Sequence, residues 1–211
     1  MTEEDAVLDF FSKDENLPLG LSVAEQIDQI REELNNRFWL ELQQHFESLL
    51  SEHAFSWKCE QTEVSNSQHN LAGLNFCPLE NQSQYLKPMI EQQHLGGIWR
   101  IYFGLIWSKP PTSEQLALPE VSQLKASLQK SGFKSNEYFL GWQWTNHYPR
   151  RRDFLLRYVK HPKGLLNEVE ATIKTLLIEQ HELLEQTNLS LQKCNVSLSE
   201  TIFQMKNRLV D

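Results

Sequence analysis

Cysteine is scarce in this 211-residue chain: Cys59, Cys77 and Cys194 are odd in number, far apart and without a Cys-x-x-Cys pair. That usage excludes a disulfide framework or a cysteine zinc site as the organising feature and fits a reducing compartment. Long apolar runs are missing too, none approaching the roughly 20 residues a membrane span needs. The first residues are acidic, without the basic start and hydrophobic core of a secretory signal. The expectation is a cytoplasmic protein with no membrane role. The seven histidines show neither His-Glu-x-x-His nor paired Cys/His spacing. A phosphate-cradling glycine loop and a Gly-x-Ser-x-Gly elbow are likewise absent. No cofactor, metal site or catalytic residue is therefore expected.

What is present argues for a folded domain. With 40% hydrophobic residues, six Trp and eleven Phe, the chain carries more apolar material than a disordered one. Its length suits one substantial core better than two small ones. The net charge of −8 hides an asymmetry. Residues 1–97 hold 5 basic and 17 acidic side chains, whereas Arg100 to Lys163 holds 11 basic against 4 acidic. The middle of the chain is locally cationic, which biases the choice of partner and says nothing of fold.

The first 20 residues, with six acids and one lysine, read as an acidic tether ahead of a single domain at 21–211. Ser22 and Glu25 have capping-box spacing, so the first long helix is expected to start there. Its apolar stripe runs Val23, Ile27, Ile30, Leu34, Phe38, Leu42, Phe46 and Leu49. Between Phe55 and Tyr85, short runs such as Leu71 to Phe76 suit edge strands. After Gly96 and Gly97, the residues Trp99, Ile101, Phe103, Leu105 and Trp107 share one face of a strand. Pro119 opens a helix through Val121, Leu124 and Leu128 that Gly132 stops. Tyr138, Leu140, Trp142 and Trp144 alternate, and Phe154 to Val159 reads as a further strand forming a hairpin with them. A leucine stripe from Leu166 to Leu191 and a last helix around Ile202, Met205 and Leu209 complete an α+β domain. Its sheet is mostly antiparallel, aromatic-rich and packed against long amphipathic helices.

Three features bear on function. The basic turn Tyr148-Pro149-Arg150-Arg151-Arg152, preceded by Trp142 and Trp144 and followed by Arg157 and Lys160, offers guanidinium forks and rings to nucleic acid or another polyanion. The same arginines also suit a solvated turn or an acidic protein. A nuclease would need carboxylates and a lysine around a metal. No Glu-x-Lys or Asp-x-Lys occurs, and Gln123-Leu124-Lys125, the nearest variant, falls in a helix. Finally, the helical stripes could zip against each other, against a partner, or into a homodimer.

Arg37-Phe38-Trp39-Leu40-Glu41-Leu42, the strand Ile101 to Trp107, the stretch Gly132 to Trp142 and the leucine-rich region after Phe154 form an ordered set. Together, over residues 22–190, they resemble a domain at the C-terminal end of some prokaryotic PD-(D/E)XK nuclease-superfamily proteins. There the nuclease lies upstream, where this sequence has only an acidic segment of about twenty residues. The resemblance implies an accessory module without the catalytic half, in a phage-defence or mobile-element setting. The resulting expectation is a non-catalytic adaptor binding nucleic acid or protein, with Arg150, Arg151, Arg152, Arg157, Lys160, Trp142, Trp144 and Tyr148 as contacts. The alternatives are a protein-interaction subunit with no nucleic-acid role, and a degenerate or unrecognised nuclease.

Overall fold

The computed structural model describes residues 2–53, 57–62, 73–79 and 84–194. Thr2 and Asp5 make a reciprocal capping box that opens helix α1 (Glu3–Phe11). The long helix α2 spans Leu17–Glu52. It begins five residues before the expected Ser22 start, because Pro18 in the first turn lacks only an N–H that no helix end could pair. Residues expected as a tether thus form α1 and the start of α2. The Phe11 ring lies 2.9 Å from where a Cβ on Gly20 would stand, so this glycine lets α1 fold back closely.

Strands β1 (Trp57–Gln61), β2 (Gly73–Pro78), β3 (Leu86–Leu95), β4 (Ile98–Trp107) and β5 (Phe139–Trp144) form an antiparallel meander in chain order. The Leu71 to Phe76 run therefore supplies an interior strand, starting at Gly73, while β1 takes the edge. Gly96 and Gly97, both at positive φ, make the two-residue turn between paired Leu95 and Ile98. The β2–β3 ladder stops at Asn75 and Met89, one residue short of Pro88, which has no N–H to donate. A bulge at Leu105/Ile106 lets both Leu140 and Gly141 face the helices.

Short α3 (Ser113–Leu116) and α4 (Pro119–Lys130) follow β4; α4 starts at Pro119 and ends before Gly132 at φ +85°, as the sequence implies. The expected Phe154 to Val159 strand is instead helix α5 (Arg152–Lys160). Phe154, Leu155 and Tyr158 share a helical spacing and are buried together, while Leu156 and Val159 face outward. Two-residue alternation cannot produce that pattern. The leucine stripe is interrupted: α6 (Pro162–Lys174) and α7 (His181–Lys193) are joined by a π-helical turn at Thr175–Glu179. The helix expected around Ile202, Met205 and Leu209 lies outside the described residues.

One sheet face and the helices make the main core, where Phe38, Leu42 and Phe46 of α2 are fully buried. Edge-to-face ring pairs cross it, Phe38 with Phe154 at 5.1 Å and Phe46 with Phe76 at 5.2 Å. Asn188 of α7 ties the helices to the start of β3. Its Oδ1 accepts from Tyr85 N (3.0 Å) and Leu86 N (2.9 Å), and its Nδ2 donates to Leu86 O (3.0 Å). The opposite face carries a second cluster of Met89, Tyr102, Phe139 and Trp142. Two buried polar residues of β3 are partnered: Gln92 accepts from the Trp39 indole (3.1 Å), and Glu91 from the Tyr102 hydroxyl (2.6 Å).

Candidate functional site

Two surfaces carry chemistry that the fold alone does not use: the basic β5–α5 connection and the N-terminal helical arm. The connection runs back along β4. Thr145 N and Oγ1 both donate to Ile101 O (2.9 and 2.8 Å), Ile101 N donates to His147 O (3.0 Å), and Arg100 Nε donates to Thr145 O (2.8 Å). The arginines thus lie between a strand and a helix, and no hairpin turn exists there. Burial holds the His147 imidazole below its ordinary range, opposed by Glu168.

Three of the four expected arginines meet carboxylates of this chain. Arg150 approaches Glu32 (3.7 Å), Arg152 approaches Glu3 (3.4 Å), and Arg157 grips Glu168 with both oxygens at 2.6 Å. The Arg152 pair is largely exposed and binds weakly. Arg151 and Lys160 have no carboxylate partner among the described residues. The nine-residue α5 separates these two by roughly 13 Å along its axis, at about 1.5 Å per residue. Arg157 and Lys160 therefore stand apart from the Tyr148–Arg151 group.

Rings, more than carboxylates, organise what remains. Arg100 lies over Trp144 (5.3 Å) and Tyr148 (5.4 Å), while Arg151 lies over Tyr148 (5.2 Å). Arg150 lies over Trp99 (5.1 Å), whose ring also stacks with His94 at 4.9 Å. Trp142 is only 4% exposed and capped by Lys134, so it presents no face for stacking on a base, whereas Trp144 and Tyr148 are half-buried. Sequence reasoning missed Arg31, Trp99 and Arg100. With Asp28, Gly97, Ile98, Arg150 and Arg151, the first two of these line a cavity of about 230 Å³. Arg31 lies on α2, far from Arg150 in the chain, and no local pattern could have flagged it.

The arm is the second surface. Its stripe splits: Phe38 and Leu42 are 0% exposed, whereas Val23, Ile27 and Ile30 are 43, 37 and 44% exposed. Of the sixteen large exposed hydrophobic residues among those described, nine lie between Val7 and Ile30. Residues 2–34 also carry ten acidic and two basic side chains, net −8. On α2, Glu25, Asp28 and Glu32 fall on the side of the helix opposite the Val23–Ile27–Ile30 stripe by helical spacing.

Among the described residues no three His, Cys, Asp or Glu side chains gather as a metal-binding group, and no helix is long and apolar enough to cross a membrane. Comparison with protein families, with curated proteins and with solved structures finds no match.

Proposed function

We propose that this chain is a non-catalytic adaptor that docks a second protein along the α1–α2 arm. The observation that carries the reading is the split stripe of α2. One apolar periodicity is buried from Phe38 onward and uncovered from Val23 to Ile30. A concentrated exposed apolar surface of this kind is the usual mark of an interaction site, and a helix face with three- and four-residue spacing fits a partner helix or groove.

Charge selects among occupants. A second copy would bring one net −8 arm against another, which like-charge repulsion opposes. The reading therefore commits to a different protein, one with an apolar ridge and a net positive charge. The resemblance to nuclease-associated accessory domains makes a nuclease-bearing protein of a defence or mobile-element system the first partner to test.

The experiment is co-expression with that partner and purification of the wild type beside Ile27→Asp/Ile30→Asp. The complex should be lost in the variant while its Tm stays near that of the wild type. A complex that survives both changes, or a wild-type protein that forms only homodimers, would refute the reading.

A further inference from the structure

Three elements distant in sequence converge on the cavity beside the arm: α2 through Asp28 and Arg31, the β3–β4 turn through Gly97, Ile98 and Trp99, and the β5–α5 connection through Arg150 and Arg151. We propose that this cavity binds a phosphate group, gripped by Arg150, Arg151 and Arg31, with the Trp99 indole as its wall. The inference does not depend on the protein partner of the arm.

Arg150 is the main reason. It is the one non-glycine among the described residues at positive φ, +82°, a conformation that is strained for a side-chain-bearing residue and tends to persist where function holds it. Its guanidinium lies over the Trp99 ring, 5.1 Å from the centroid, and its buried Nε has no hydrogen-bond acceptor. A pre-ordered donor without an acceptor is what an anion site requires. Arg151 adds a second fork, placed by the Tyr148 ring and free of any carboxylate among the described residues.

Two carboxylates now face these arginines. Asp28 meets Arg31 at 3.2 Å and Glu32 meets Arg150 at 3.7 Å, with side chains 91 and 62% exposed. Both are free to swing into water, so they act as resident competitors that an incoming anion displaces. Three forks arriving from two elements match the several oxygens of a tetrahedral phosphate better than the two oxygens of a carboxylate. At about 230 Å³ the cavity exceeds a bare phosphate and falls short of the roughly 300 Å³ at which drug-sized pockets begin. The group therefore belongs to a small phosphorylated molecule or to one backbone phosphate of a nucleic acid.

Calorimetric titration at low salt with inorganic phosphate, a nucleoside 5′-monophosphate and a short single-stranded oligonucleotide tests this. Arg151→Ala should weaken binding about tenfold, as expected for losing one charged fork. Arg150→Gly should weaken it similarly without lowering Tm, because glycine accepts this φ freely. Glu32→Gln should tighten binding severalfold by removing a competitor, a gain that a structural role for the arginines would not produce. Binding of phosphate and the monophosphate identifies a small-molecule source; binding of the oligonucleotide alone, with the same arginine dependence, identifies a nucleic-acid backbone. Absence of binding by all three probes, affinity indifferent to both arginine changes, or weaker binding in Glu32→Gln would overturn the proposal.

Discussion

Replacing leucine or isoleucine by alanine along α2 should have opposite consequences on either side of Leu34. Leu42 is 0% exposed in the main core between the turns of Phe38 and Phe46. Leu42→Ala leaves a cavity among rings that cannot collapse freely and should cost about 3 kcal/mol, within the usual 2–5 range. At about 2–4 °C per kcal/mol for a chain of this size, Tm should fall by roughly 6–12 °C. Ile30 lies three turns earlier on the same stripe but is 44% exposed. Ile30→Ala gives up little burial, and alanine's helix propensity returns up to about 0.6 kcal/mol. Its stability should stay within about 0.5 kcal/mol of wild type. Urea unfolding of the isolated protein, monitored by tryptophan fluorescence, measures both. A loss at Ile30 matching that at Leu42 would show that the free chain already covers the arm, and the docking argument would fail.

Asn188→Ala strips three hydrogen bonds from buried backbone groups at the start of β3 and should cost about 3 kcal/mol or more, at about 1–3 per unsatisfied group; Asn188→Asp, which keeps the acceptor, should cost less in the same urea assay. Burial depresses the pKa of His147 in the folded state, so its contribution to stability is complete above the unfolded value of 6.5 and is lost as pH falls through the folded value. The Tm drop between pH 7.5 and pH 5 should accordingly be smaller in His147→Gln than in wild type, although His181, also depressed by burial, leaves some drop in both. Burial pushes the Cys59 thiol far up, so a thiolate-specific reagent should label it only after denaturation, and prompt native labelling at this site would contradict its placement in the core.

Much of the architecture was legible because the periodic patterns were long or well punctuated. The aromatic alternation of β4, the Pro119 to Gly132 helix and the leucine stripe each carry enough repeats to fix an inward face. Phe154 to Val159 was too short for that, since Phe-Leu-Leu-Arg-Tyr-Val satisfies either period until Tyr158 is seen packing with Phe38. Strand β3 escaped notice because Glu91, Gln92 and Gln93 look like loop residues, and their burial is acceptable only beside tertiary partners such as Trp39 and Tyr102. The site was legible in charge and not in geometry. The Arg150–Arg152 run announces cation density, but Glu3 and Glu32 reach it, and Glu168 reaches Arg157, only through folding. The exposure of Val23, Ile27 and Ile30 was equally hidden, since a stripe records that a face is apolar and leaves open what covers it.

A photo-crosslinker placed at Ile30, with one at the comparably exposed Leu189 on α7 as the control, reads the arm's occupancy in the native assembly. The account predicts an adduct from position 30 alone, joined to a different protein of net positive charge through an apolar segment. Equal yields from both positions, or an adduct only with a second copy of this chain, would contradict it.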